Sequence, residues 1–359
     1  MQWSFPIAKV AGSEIRIHVT FFLLLAWIGI VQFQQGGQSA AIEGIAFIVT
    51  IFACVVLHEL GHAVAARRYG IRTPRITLLP IGGVAELERM PEKPAQEIVV
   101  AVAGPLVNVA IARVLVFGFG AVLSADAMNA IENPAQSFLS RVAAVNVVLV
   151  LFNLIPAFPM DGGRVLRALL ATRLSRTKAT DVAARIGQGL AFVFGFLGLL
   201  SGNVLLVFVA IFVYLAASGE AMAVNLQDAA RVLDVRDAMI TEFEKLGPNA
   251  TLDDAVELLL ATTQHEFPVV DGAGRLRGML TREAMVAGLQ ASGRQTPVVD
   301  VMTRDIPVVR VDAGLEAALK PMQGSGGLVG VTDTDGRLVG YINRENIGEL
   351  MMVRSAIGQ

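Results

Sequence analysis

The residues of this 359-residue chain best suited to chemistry are His58-Glu59-Leu60-Gly61-His62, which directly follow the apolar run Ile51-Phe52-Ala53-Cys54-Val55-Val56-Leu57. Two histidines four positions apart on a helix share one face and are separated by roughly 6 Å along its axis. That spacing lets both imidazoles grip one Zn²⁺. Glu59 projects from an adjoining direction, where it could reach a metal-bound water as general base. Bound zinc lowers the pKa of such a water to about 7, giving a nucleophile at neutral pH. The motif is short and arises by chance in unrelated proteins. Here, however, three ionisable groups stand in an apolar helix, where each costs on the order of 3 kcal/mol by insertion scales, and such groups mark function.

A site of this kind needs a third protein ligand and an open position. The candidate is Asp161, in Asn153-Leu154-Ile155-Pro156-Ala157-Phe158-Pro159-Met160-Asp161-Gly162-Gly163. Pro156 and Pro159 break a helix and the two glycines permit a turn. Broken backbone at membrane depth is tolerated where it lines a polar cavity, so the same segment can present a carboxylate to a metal. By spacing alone, Asp161 could instead cap the helix that follows.

Positioning these groups is the work of apolar elements. The chain is 54% hydrophobic with a mean hydropathy of +0.60, too apolar for an ordinary soluble protein of this length. The apolar residues concentrate before about residue 220, which points to a membrane domain followed by a water-soluble one. Six spans are expected, near 17–34, 44–66, 95–123, 138–155, 186–200 and 203–217, the last two divided by Ser201-Gly202-Asn203. The N-terminal run reads as a retained first span rather than a cleaved signal. Basic residues alternate between the connections. Lys9 and Arg16 precede the first span, Arg67 to Lys93 separate the second from the third, and Arg164 to Arg185 the fourth from the fifth. The loops around 34–43, 124–137 and 201–203 carry no Lys or Arg, so both termini are expected on the cytoplasmic side. A net charge of −2 gives no nucleic-acid footprint. The single cysteine, Cys54, excludes an intrachain disulfide and reads as a packed thiol.

With both motifs in this order, the chain resembles the site-2 protease family (M50-type intramembrane zinc metalloproteases). His58 to His62 resembles that family's zinc helix, and Asn153 to Asp161 resembles its Asn-Pro-Asp-Gly region, written here as Asn-Leu-Ile-Pro followed by Pro-Met-Asp-Gly-Gly. The resemblance implies His58, His62 and Asp161 as ligands of one Zn²⁺, Glu59 as catalytic base, and Asn153 as a contact to the substrate carbonyl or oxyanion. Leu79-Pro80-Ile81-Gly82-Gly83-Val84 looks like the family's membrane hairpin, in which Gly82 and Gly83 could hold an extended substrate by strand addition; an ordinary turn is the alternative. Ala103-Gly104-Pro105-Leu106-Val107-Asn108 resembles a motif on the third span, where Asn108 serves either close packing or the substrate. His18 is given no ligand role.

From about 232 the sequence repeats. Gly274-Arg275-Leu276-Arg277-Gly278 returns 62 residues later as Gly336-Arg337-Leu338-Val339-Gly340, and Asp237-Ala238-Met239 answers Asp300-Val301-Met302. The pattern resembles a pair of CBS domains. The expected organisation is a membrane protease domain at 1–220, a linker at 221–231, and CBS domains at 232–291 and 292–355. The fold class is thus a multi-span α-helical membrane protein of about six helices with a C-terminal α/β tandem module. Many such pairs sense adenine nucleotides, but Ala284 and Asn346 stand where the family's ribose-binding aspartate usually falls. Homodimerisation or partner contact is therefore favoured over a nucleotide.

The resemblance implies an intramembrane zinc endopeptidase of a prokaryotic cell (inner) membrane, with both termini and the CBS pair cytoplasmic. Its partners would be the lipid bilayer and transmembrane substrates, either regulatory proteins or signal-peptide remnants. The alternatives are a CBS-regulated transporter or channel, which predicts polar residues along several spans, and a non-catalytic binding protein of the same fold.

Overall fold

The computed structural model describes residues 3–80, 82–91, 93–123, 137–322, 324 and 326–357. The chain divides into two compact units, Met1–Met222 and Ala223–Gln359.

The first unit begins with a hairpin, ahead of the first expected span. β1 (Ser4–Val10) and β2 (Ser13–His18) pair antiparallel around Ala11 and Gly12, both at positive φ. β2 then pairs parallel with β3 (Arg75–Leu79), and β3 antiparallel with β4 (Gly82–Glu86), so β4 forms one edge of a four-stranded sheet. The alternation Ile15, Ile17 against Glu14, Arg16 is the period of a half-buried strand.

α1 runs from Val19 to Arg67, with His18 as its cap and a break in helical geometry at Gly36 and Gly37. α2 (Pro94–Arg113) starts at a proline, which needs no amide partner in the first turn, and continues into a π turn at Val114–Gly118. α3 (Phe138–Asn153) ends where Pro156 and Pro159 forbid continuation, and the chain restarts as the ten-residue α4 (Asp161–Leu170). α5 (Arg176–Ser201) is capped by the Ser175 hydroxyl and ends at Gly202, whose φ of 65° suits a glycine. α6 (Val204–Val232) follows at once and includes residues 221–231. Among the described residues, four helical stretches are long and apolar enough to cross a membrane: Val19–Arg67, Pro94–Gly118, Arg176–Ser201 and Val204–Leu226. Their outward faces carry large apolar side chains that water would disfavour, such as Trp27, Phe117, Phe192 and Phe208. Of the loops expected to lack basic charge, 124–136 lies outside the described residues.

The second unit is a tandem α/β repeat. The first copy contains α7 (Val235–Ala238), α8 (Leu252–Ala261), β5 (Glu266–Val270), β6 (Leu276–Thr281) and α9 (Arg282–Ser292). The second contains α10 (Val298–Val301), β7 (Val308–Arg310), α11 (Glu316–Met322), β8 (Val329–Thr332), β9 (Leu338–Ile342) and α12 (Arg344–Ile357). The hairpin turn is built twice in the same way. Asp271 accepts from the amides of Ala273 and Arg275, and Asp333 from those of Asp335 and Arg337. The copies interlock crosswise through Ile240 with Tyr341 and Met279 with Thr303.

Candidate metal centre

α1 brings His58 and His62 to one buried face, and the break after α3 delivers Asp161 to them as the first residue of α4. His58 Nε2 lies 3.1 Å from His62 Nε2, and each lies 3.2 Å from Asp161 Oδ2. A tetrahedral ion with bonds of about 2.0–2.1 Å separates its ligands by about 3.3–3.4 Å, so this near-equilateral triangle has the dimensions of one face of a zinc polyhedron.

The outer hydrogen bonds decide the protonation of the rings. His62 Nδ1 is 2.7 Å from the carbonyl of Val100, which only accepts, so Nδ1 carries the proton. His58 Nδ1 is 2.5 Å from Asn108 Oδ1, whose own amide nitrogen donates to Asn146 Oδ1 at 2.9 Å. In the neutral rings both Nε2 atoms therefore present lone pairs, and Asp161 presents a carboxylate oxygen. Three acceptor atoms then face one another at 3.1–3.2 Å. A cation satisfies all three at once, so the donor set fits a metal ion and, with two imidazoles and one carboxylate, fits zinc.

Space for the rings comes from Gly104. A Cβ there would stand 2.2 Å from His62 Nε2 and 2.6 Å from His58 Nε2. Gly61 plays the matching part on α1, where a Cβ would meet the Ala103 carbonyl at 2.9 Å. The N-terminus of α4 is seated just as closely. A Cβ on Gly162 would fall 2.3 Å from the carbonyl oxygen of Ile155, and one on Gly163 2.6 Å from Phe158 N.

Glu59 is half-buried beside the rings, and β4 passes over it: a Cβ on Gly83 would lie 2.7 Å from Glu59 Cγ. Gly82, at a φ of 138°, opens that strand. Asn153 is the last residue of α3, half-buried at the start of the broken segment. Asn108 is fully buried, and both ends of its amide are engaged within the protein, one by His58 itself. His18 caps α1 and contacts Thr20, and Cys54 is buried with Asn146 Nδ2 at 3.5 Å.

Several polar groups had escaped the sequence reading. Asn146 completes the chain behind His58, and Arg141 pairs with Glu43. Arg167, counted in the sequence only as one of the basic residues of a connection, is fully buried and pairs with Glu97 and Glu220. Buried polar residues are thus spread over α1, α2, α3 and α4 as well as standing at the metal site.

Both parts of the chain have relatives among known proteins. The model of peptidase family M50 matches residues 46–125 and 119–194, and that of the CBS domain matches 235–290 and 298–352. A zinc metalloprotease of Methanocaldococcus jannaschii is 31% identical over 353 residues, covering 98% of this chain and 97% of its own length. Stage IV sporulation protein FB of Bacillus subtilis is 30% identical over 167 residues, covering 46% of this chain and 51% of its own. The solved structure of a site-2 protease from Methanocaldococcus jannaschii matches with a TM-score of 0.46 and 37% identity, covering 61% of this chain and 95% of that one.

Proposed function

The chain belongs to peptidase family M50, as a site-2-protease-like zinc metalloprotease with a CBS pair, and from this premise we propose an intramembrane endopeptidase that cuts the transmembrane segments of other membrane proteins. The observation that carries the proposal is the convergence of two buried imidazole Nε2 atoms and a buried carboxylate oxygen within 3.2 Å of one another. His58, His62 and Asp161 would hold the ion. Zinc in such a set supplies Lewis acidity and makes water a nucleophile near neutral pH. Glu59 accepts the proton of the attacking water and passes it to the leaving amine. Asn108 and the Val100 carbonyl orient the rings, and Asn153, at the lip of the broken helix, donates to the substrate carbonyl as charge develops on it.

A helical substrate must be unwound before a peptide bond is exposed. β4 is the free edge of a sheet and runs over Glu59 through Gly83, so an extended substrate strand added there lies beside the base. The polypeptide crosses the bilayer six times. At 1.5 Å per residue α1 is about 73 Å long, more than twice the roughly 30 Å hydrocarbon core, and its break at Gly36 and Gly37 marks two crossings. α3 with the broken segment supplies another. Both termini and the CBS pair lie in the cytoplasm of a prokaryotic cell, a reading supported by the alternation of basic connections along the sequence. The substrates are membrane-bound regulatory proteins or remnant signal peptides.

Residues 1–220 form the protease domain, and CBS domains at 232–291 and 292–355 dimerise it or bind a partner. A cavity of about 540 Å³ in the second unit is lined by Glu242, Glu244, Glu266, Glu345 and Glu349, which repel nucleotide phosphates and disfavour an adenine nucleotide there. The deciding experiment is metal analysis and a cleavage assay on purified protein. One zinc per chain is expected in wild type and in Glu59→Gln, with cleavage lost in the latter and zinc lost in His58→Ala and Asp161→Ala. Zinc retained without Asp161, or cleavage retained without Glu59, would overturn the assignment.

A further inference from the structure

Glu97, Val100, Gly104 and Asn108 recur along α2 at intervals of three, four and four, and all are buried. They form one stripe of one helix. Three of them have been placed already: Val100 and Asn108 hold the outer nitrogens of His62 and His58, and Gly104 clears space for both rings. The fourth reaches the element that carries the third ligand. Glu97 Oε1 lies 2.7 Å from Nε and 2.6 Å from Nη2 of Arg167 in α4.

Arg167 is fully enclosed, with its guanidinium carbon 5.2 Å from the centre of the Phe158 ring and its Nη1 donating to Glu220 of α6. Six residues along a helix amount to about 9 Å and 240° of rotation, so Arg167 does not share the face of Asp161 and acts only through the helix between them. Such a helix needs an anchor. It has ten residues and follows an irregular segment with two prolines, so backbone hydrogen bonding from α3 does not fix its register. A fully buried guanidinium is strongly bound to the carboxylate that compensates it, which gives α4 one preferred position against α2.

We propose that Arg167 is a positioning residue: its pairing with Glu97 sets α4 in register with α2, so that the helix orienting both imidazoles also holds Asp161 Oδ2 against them. This rests on Asp161 being the third ligand.

The test measures zinc affinity of the purified full-length protein by competition with a chromophoric chelator, and the visible spectrum of its Co²⁺ form. Three variants are compared with wild type: Arg167→Lys, the apolar pair Glu97→Met with Arg167→Met, and Asp161→Ala. The apolar pair removes both fully buried charges together and leaves Glu220, whose side chain is 30% exposed, to water, so folding is preserved. It is expected to bind zinc at least tenfold more weakly and to give an altered Co²⁺ spectrum, while melting of the metal-free protein stays near wild type. Arg167→Lys keeps the charge but not the planar fork, and is expected to weaken zinc several-fold and less than the pair does. Wild-type affinity and spectrum in both would overturn the proposal and leave Arg167 a packing element. Asp161→Ala separates the two layers of inference. If it keeps zinc, the ligand assignment itself fails, whereas zinc lost there but kept in the apolar pair removes only the role of Arg167.

Discussion

At the scale of single residues the account depends on lone pairs and on the space around them. Gly104 is the sharpest case, since a methyl group there would overlap both imidazole Nε2 atoms. Gly104→Ala is expected to abolish stoichiometric zinc, weakening it by more than about 100-fold, beyond the 10–100-fold typical of losing an outer hydrogen bond. Chelator competition measures this, and wild-type affinity would show the rings standing elsewhere. Asn108→Ala is the milder counterpart. It strips the acceptor from His58 Nδ1 and frees the ring's tautomer, so affinity should fall about 10–100-fold while the fold persists. The two histidines, Glu59 and Asp161 were legible in the sequence because spacing carries information: four residues on a helix, and a carboxylate after a double proline break. Asn146, Glu97 and Arg167 were not. Each is a lone polar residue whose partner is 38 to 70 positions away, and no local period announces such a pair.

At the scale of elements, a long helix, a broken helix and a strand edge meet at one place. The edge strand makes its own prediction. In Gly83→Ala the new Cβ would press on Glu59, whose Cγ lies 2.7 Å away, and none of its three nearest atoms belongs to a proposed zinc ligand. Cleavage should fall on the order of 100-fold, the scale of loss for a misplaced catalytic group, while zinc content stays at wild type. Parallel zinc analysis and kinetics on one preparation would check this, and loss of both together would contradict it. The apolar runs made the helices visible, but their boundaries were set by features with weak letters. α1 starts at Val19 because residues 13–18 are tied into a sheet with a strand some 60 positions later. The alternation in Ser13–His18 was present, but adjacency to an apolar run made its last two residues read as the head of a span. Likewise α5 begins at Arg176, ten residues before its apolar stretch, because Ser175 caps it there.

At the scale of the whole molecule, an apolar unit and a charged one are joined in a single polypeptide, each with its own core. The second unit was legible through repetition, since an aspartate that seals a turn twice leaves the same letters 62 residues apart. Its carboxylates also give it a pH dependence. The Arg275 amide holds Asp271 below the usual carboxylate range, the Thr251 amide does the same for Asp254, and the Arg310 guanidinium for Asp312. A depressed folded-state pKa contributes stability that is present above the unfolded value and lost as pH falls through the folded one. The urea midpoint of a 223–359 fragment, followed by circular dichroism, should therefore hold level near neutrality and drop as pH enters and passes below the ordinary carboxylate range. A midpoint that rises on acidification would contradict that assignment.

All three scales converge on the triangle of His58, His62 and Asp161, and the zinc K-edge X-ray absorption spectrum of the purified full-length protein interrogates it most directly. The account predicts nitrogen and oxygen donors near about 2.0–2.1 Å, with outer scattering from two imidazoles and no sulfur near about 2.3 Å. It predicts further that Asp161→Ala does not retain this spectrum at full occupancy. A sulfur donor, an imidazole count other than two, or an unchanged spectrum without Asp161 would contradict it.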